Sequence, residues 1–331
     1  MKQSSPGYIL VLTLMIISAS VILVTRLINR SIGNKRQSRL LLDREKAKMI
    51  ALGGIEIAIS QLSLLDTTTT TTTDQKLITK ILENTNRWQN FSLNQAADGI
   101  DGELQLYITS ESGKINLNTL YNFKDKKFIA DNTFDGKKIV QLLAEKLKPT
   151  LGDTNFSEIL ERFLKGHAGP LDDVTELLTL KELKKFHENL FLKPQQKIAV
   201  TDLFTVSSPT RELQPLLISA SLGSLLGFKT PTQETEKLIK ERRELAKNYK
   251  APAQWAQDWN KLLAPLYGKE YTSIPQEIRN LLKPKFEESH FSVVSYGKIG
   301  IITQKVYAIL EKEKTSDDQH GRYIIKKLYW H

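Results

Sequence analysis

The sequence predicts an α+β protein: a long amino-terminal helix, an antiparallel sheet, and an all-helical domain inserted between the strands. Three observations carry that prediction. Tyr8–Val24 is a run of 17 uncharged, mostly apolar residues, and no proline interrupts the chain from Ile9 to Leu65. Period-two alternation appears near positions 103–118 and again near 291–329. Between these strand-like ends, positions 134–284 carry apolar residues at helical spacing, punctuated by glycine and proline.

The first element is the helix. At 1.5 Å per residue the apolar run covers about 25 Å, close to the hydrocarbon thickness of a bilayer. Beyond it, Ala47, Ala51, Ile55, Ala58, Leu62 and Leu65 recur at steps of three and four, which marks one face of a continuing helix. Lys46, Lys48, Glu56, Ser60 and Gln61 fall largely off that stripe, so the stem needs a partner on one side only. Gly33, Gly53 and Gly54 should weaken it by about 1 kcal/mol each relative to alanine.

Seven threonines, Thr67–Thr73, end the stem as a low-complexity loop of β-branched residues. An amphipathic segment, Gln75–Trp88, then leads to a turn at Asp98–Gly102. Glu103–Thr109 and Lys114–Asn118 are expected to form a hairpin around Ser110–Gly113, with Leu104, Leu106 and Ile108 on one face. Helices are expected near Val140, at Phe156–Leu164, Val174–Leu190, Leu213–Leu226, Thr232–Asn248 and Gln254–Leu266. Strands return at Phe291–Tyr296, Ile301–Leu310 and Tyr323–Tyr329, the last two joined by a charged loop over Lys312–Gly321. Five strands make a stable sheet where two are marginal, so a single interrupted sheet is favoured over two successive ones. The resulting division is a leader at 1–7, a membrane-spanning and stem helix at 8–66, a first sheet part at 67–133, the helical insert at 134–284 and closing strands at 285–331.

Composition narrows the chemistry. Of 331 residues, 40% are hydrophobic and 25% charged, which is ordinary for a globular chain. The absence of cysteine excludes thiolate metal sites, disulfides and cysteine nucleophiles. The net charge of +10 is spread along the chain without basic blocks interleaved with aromatic residues, so a solvated lysine-rich surface explains it better than nucleic acid does.

Residues 1–30 admit three readings. A secretory signal has a shorter apolar core and a small-x-small cleavage site, whereas Arg26 and Arg30 stand where that site would lie. A plain signal anchor is the second. The third is a prepilin: a short polar leader, Met1–Gly7, then an aromatic residue, Tyr8, opening one long helix. A prepilin peptidase would cut between Gly7 and Tyr8. Against this stands a charge bias: Arg26, Arg30, Lys35, Arg36 and Arg39 follow the span, while only Lys2 and the amino group precede it. By the positive-inside rule alone the body would be cytoplasmic, and a prepilin must place it on the other side.

Four stretches resemble one family, the minor pseudopilins called general secretion pathway protein K of the type II secretion system. They are the leader with its apolar run, the stem Leu41–Gly53, the segment Ser112-Gly-Lys-Ile-Asn-Leu-Asn118, and the closing Phe291–Gly297 with Val306–Leu310. The resemblance covers about a third of the chain. It implies a pilin-like sheet domain with a helical insert, a single-pass protein of the bacterial inner membrane, and a body in the periplasm. It further implies methylation after cleavage, and a role in assembling the apparatus that exports proteins across the outer membrane. The implied partners are other minor pseudopilins, the major pseudopilin, prepilin peptidase and inner-membrane lipid, with no nucleic acid. Most pilins carry glutamate five residues after the cut, whereas this chain has Leu12, as the protein K family does. A buried carboxylate would need a cationic partner such as a neighbour's amino terminus, so Leu12 implies a position at the tip. Calcium is implied only by the family. The middle of this chain matches its carboxylate segment poorly, and Asp172, Asp173 and Glu176 read as helix-capping residues. No cofactor is assigned.

No catalytic constellation stands out. The histidines His167, His187, His290, His320 and His331 are scattered, and His187-Glu188 lacks the second histidine of a zinc protease. Nucleophile-elbow, phosphate-loop and dinucleotide glycine motifs are missing. Asn116 and Asn118 are expected on an exposed strand face or capping a turn, with Ile115 and Leu117 inward. Trp255 and Trp259, four apart, are expected to pack within the helical domain. The protein is therefore expected not to be an enzyme. The rivals left open are a minor pilin of a type IV pilus, a membrane-anchored periplasmic enzyme or binding protein, and a cytoplasm-facing basic protein.

Overall fold

The computed structural model describes residues 6–63, 73–152, 155–186, 198–229, 240, 244, 255–283, 289–313 and 323–330. Its first element, α1, runs unbroken over Pro6–Ser63, 58 residues, which is about 87 Å of helix. A second helix, α2, spans Thr73–Asn84. The sheet strands are β1 (Trp88–Leu93), β2 (Gly102–Ser110), β3 (His290–Ile299), β4 (Ile302–Lys312) and β5 (Tyr323–Trp330). They lie side by side in the order β1-β2-β3-β4-β5, every neighbouring pair antiparallel. Strands from both sides of the helical block therefore form a single sheet, with β2 hydrogen-bonded directly to β3 from Glu103↔Lys298 to Ser110↔Phe291.

The stem stripe read from the sequence is the face that packs on this sheet. Ala47, Ala51, Ile55, Ala58 and Leu62 have no accessible surface, while Glu56 and Ser60 face out. Gln61 sits between, its amide paired reciprocally with that of Gln89 at 2.8 and 3.0 Å. Leu65 and Thr67–Thr72 lie outside the described residues, as does the loop expected after Lys312 from position 314. The alternation Leu104, Leu106, Ile108 is likewise buried.

Small residues set how closely α1 approaches. A Cβ on Gly297 would strike the Ala47 carbonyl and come within 2.7 Å of the Ala51 nitrogen. One on Gly54 would strike Ser295 Oγ and stand 2.8 Å from Leu104 Cδ1; one on Gly102 would stand 2.8 Å from Ile50 Cδ1. Gly53, by contrast, faces open space. The two adjacent glycines thus differ: Gly54 permits the contact, and Gly53 only weakens the helix.

The hairpin expected at Glu103–Asn118 does not form. Both edges of β2 are occupied by β1 and β3, so no place remains for a third partner. Ser110–Gly113 is a single 3-10 turn at Glu111–Gly113, capped by the Ser110 hydroxyl. Ile115–Asn116 pairs instead in parallel with Phe204–Thr205. The fifth strand is β1, in a stretch the sequence reading left at the end of an amphipathic segment.

The helical block contains α3 (Gly136–Leu151), capped by Asp135, and α4 (Phe156–Gly166), capped by Asn155. Its later parts are more broken than expected. Val174–Leu190 becomes two 3-10 turns, Val174–Thr179 and Lys181–Phe186, with 187–190 outside the described residues. Leu213–Leu226 is split by Pro215 into the turn Pro215–Leu217 and the short helix Ala220–Leu225. Gln254–Leu266 is found as Trp255–Asp258, a π turn at Trp259–Leu263, and Ala264–Tyr267. The helix expected at Thr232–Asn248 lies outside the described residues except for Lys240 and Glu244. Trp259 is buried and stacks on Tyr267 at 5.7 Å and against Phe228 at 6.1 Å, as packing requires; the Trp255 side chain is not among those described. One hydrophobic cluster runs from Ala51 and Leu62 through Leu106 and Phe291 to Leu143, Leu160 and Trp259. Sheet and helical block therefore share a core.

Gly297→Val should lower unfolding stability by about 3 kcal/mol, because backbone atoms on both sides cannot yield to the added volume. Gly53→Ala should raise it by about 0.5–1 kcal/mol. Urea unfolding of the detergent-solubilised chain checks both.

Candidate assembly surface and the joint behind it

Among the described residues, the first half of α1 is exposed throughout and packs on no other element. Leu10, Leu14, Met15, Ile17 and Leu23 are each more than 60% exposed, and Leu12 is 46% exposed. Residues Leu10–Ser63 contain a window apolar and long enough to cross a membrane, so α1 is compatible with one amino-terminal transmembrane anchor. Exposed apolar residues continue past it at Leu27, Ile28, Ile32, Leu40, Leu41, Leu42 and Met49. A lone chain would present these to water, so this half of the helix is an extended exposed apolar surface. Gly7 and Tyr8 lie in the first turn of α1, which begins at Pro6. Leu12 lies about one turn further on.

Behind the rod, the Ser112–Asn118 segment forms the joint between sheet and helical block. Ser112 and Gly113 carbonyls accept the Gln214 and Ser219 amides at 2.9 and 3.0 Å, and a Cβ on Gly113 would strike the Leu217 carbonyl. Asn116 is buried rather than exposed. Its oxygen caps the helical turn Leu117–Leu120 through the Asn118 amide, and its Nδ2 donates to the Ser208 carbonyl at 2.6 Å. Asn118 clamps Leu171 from both sides, accepting its N–H at 2.8 Å and donating to its carbonyl at 2.9 Å. Ile115 and Leu117 are in the core as expected.

Lys114 was not singled out by sequence reasoning, yet it holds this joint. Its side chain has no exposure, and its three donors go to Glu111 Oε1 at 2.5 Å, the Thr201 carbonyl at 2.8 Å and Ser292 Oγ on β3 at 2.6 Å. Glu111 Oε2 also accepts from the Thr205 hydroxyl. Asp202 is buried close by. Its Oδ2 accepts the Ser221 amide at 2.7 Å, while Oδ1 has no hydrogen-bond partner. Burial raises the Asp202 pKa, with Lys114 and Ser221 opposing in part. In the sequence Lys114 stands within the Ser112–Asn118 segment, and its Glu111-x-x-Lys114 spacing, common on any surface turn, does not reveal the burial.

The acidic trio falls where capping places it. Asp173 accepts the Thr175 amide at 2.7 Å, and Glu176 Oε1 accepts the Asp172 and Asp173 amides at 2.8 Å each. Asp173 also takes the Tyr329 hydroxyl, and the Asp172 carbonyl takes Lys327, so the turn is strapped to β5. His167 meets Glu176 at 2.9 Å. His290 lies between Ser289 Oγ, 2.8 Å from Nδ1, and Glu311 Oε1, 3.1 Å from Nε2. Glu311 is shared with Lys326 at 2.8 Å, so this trio ties β3 to β4 and β5. His187, His320 and His331 lie outside the described residues.

No protein-family model matches the chain, and no curated protein matches it. Among solved structures it is similar to one chain of the GspK-GspI-GspJ complex of the enterotoxigenic Escherichia coli type 2 secretion system. That match has 12% identity, covers 89% of this chain and 99% of the other, and has a TM-score of 0.47.

Lys114→Met should cost about 3–5 kcal/mol, because it strands Glu111 as a buried unpaired charge. Adding Glu111→Gln should recover a large part of that loss in urea unfolding. The Asp202 pKa is raised above the ordinary 3.8, so its contribution to stability is present below about pH 4 and is lost as pH rises through the elevated value. Asp202→Asn should remove that decline; urea midpoints measured from pH 4 to 8 check it.

Proposed function

We propose that this chain is a minor pseudopilin of the general secretion pathway protein K family, working in assembly of a type II secretion pseudopilus. The observation that carries the reading is one helix with two unlike halves. Residues 10–42 are bare and largely apolar, and residues 47–62 are bedded on a sheet that the helical block interrupts. A free-standing membrane anchor has no need of a rigid continuous link to its body; a subunit packed by its helix does. The Ser112–Asn118 segment supports the same reading, since each of its polar residues has a structural post at the joint.

In this reading Gly7 is the last leader residue, and Tyr8 becomes the amino-terminal residue, which is then methylated. The apolar half of α1 first lies in the inner membrane with the body in the periplasm. It later packs among helices of other minor pseudopilins and of the major pseudopilin. Leu12 removes the carboxylate that would pair with a subunit further out, which suits the tip, with residues 134–284 as the outward unit. The same fold serves a type IV minor pilin equally, and neighbouring genes distinguish the two. Calcium enters only through the family resemblance.

Amino-terminal sequencing of the chain from membranes should read Tyr8 first, and mass spectrometry should show one added methyl group. Gly7→Leu should leave the leader attached and abolish secretion. Unchanged size and full secretion in that variant would refute the reading.

A further inference from the structure

The basic residues that follow the apolar span have no local explanation. The first acidic residue in the chain is Asp43, 13 residues beyond Arg30, which is roughly 20 Å along the helix. Arg26, Arg30, Lys35, Arg36 and Arg39 therefore stand on a stretch of rod with no carboxylate before Asp43, and all five are exposed. Among the described residues, Arg39 reaches Asp43, at 4.0 Å. The other four cations, Arg26 to Arg36, crowd into 11 residues, repel one another and oppose export of the body, so a partner of opposite charge is needed.

Position along the rod identifies that partner. Counted from Val24, Arg26 stands about 3 Å and Arg30 about 9 Å past the end of the apolar run. A headgroup layer is about 5–7 Å deep on each side of the hydrocarbon core. Arg26 is inside that layer, and Arg30, four residues on and on the same helix face, reaches back into it along its flexible stem. Lys35, Arg36 and Arg39 lie about 17–22 Å out, about 10–17 Å beyond the headgroup layer and so one to two screening lengths at physiological salt, which leaves them a smaller contribution than Arg26 and Arg30. A guanidinium recognises phosphate through paired hydrogen bonds that an ammonium cannot match.

We propose that Arg26 and Arg30 form a binding site for the phosphate of anionic phospholipid headgroups in the leaflet that faces the folded body. The proposal rests on the reading of α1 as a membrane span. Anionic lipid neutralises the two arginines and holds the subunit in the bilayer until filament packing replaces those contacts.

The test reconstitutes the purified full chain into vesicles of phosphatidylcholine containing either spin-labelled phosphatidylglycerol or spin-labelled phosphatidylcholine. The immobilised spectral component then gives the relative association of the two lipids. At low salt, phosphatidylglycerol should be preferred about five-fold, the ratio that corresponds to about 1 kcal/mol for one engaged arginine. At about 1 M salt, where the screening length is about 3 Å, the preference should fall towards parity. Arg26→Gln with Arg30→Gln should abolish it, Arg26→Lys with Arg30→Lys should retain part of it, and the distant Lys146→Gln should leave it intact. Equal association of the two lipids with the inserted native chain overturns the proposal, as does a preference that survives the double glutamine variant. Failure of the chain to insert at all overturns the membrane reading beneath it.

Discussion

Everything in this architecture depends on how closely the α1 backbone lies against the sheet. Gly297 on β3 lets the Ala47 carbonyl and Ala51 nitrogen approach its own Cα, and Gly54 does the same for Ser295 and Leu104 from the helix side. At that spacing the small side chains Ala47, Ala51 and Ala58 are fully buried, and Ile55 and Leu62 fill the remaining depth. The helix therefore cannot pivot on the sheet without opening voids, because packed interiors lose contacts steeply with separation. A rod held so firmly at one end transmits the position of the other. The bare half of α1 is in effect a lever fixed to the folded body.

The second constraint is the buried joint around Lys114. It connects the sheet, through Ser292, with the helical block, through Thr201 and the Glu111–Thr205 contact. Buried charges of this kind are poor general stabilisers, since desolvation consumes most of the attraction. What they supply is geometry: Lys114 satisfies its donors in one arrangement of sheet and block. Together with the continuous apolar cluster, this makes the block an extension of the sheet's core rather than a bead on a tether.

The rod, its buried stripe and the three closing strands were legible because each obeys a strong local period. The stripe at Ala47–Leu62 follows the helical repeat, and β3 to β5 are apolar runs that alternate in part. What was illegible depended on partners distant in the chain. Trp88–Leu93 carries a strand only because β2 offers a free edge, and the hairpin expected after β2 fails because β3, some 180 residues later, takes that edge. Gly53 and Gly54 look alike in sequence; only the approach of β3 separates their roles. Lys114 opens an expected strand, and nothing local says that its ammonium is buried between Thr201 and Ser292. The acidic turn at Asp172–Glu176 was readable as capping, since its hydrogen bonds are local, but its strap to β5 was not. The processing position at Gly7-Tyr8 and the meaning of Leu12 depend on encounters outside the chain, so neither sequence period nor fold reaches them.

The chain has no cysteine, so single cysteines introduced along α1 report its surroundings without background. Ser18→Cys, Ser38→Cys and Ser60→Cys, each in the full chain produced without other pilin-type proteins, can be challenged with a membrane-impermeant maleimide in spheroplasts. Position 18 should be protected, and positions 38 and 60 should react with the inner membrane intact. Reaction at position 18, or reaction at 38 and 60 only after that membrane is opened, would contradict a rod rooted in lipid with its body outside the cytoplasm.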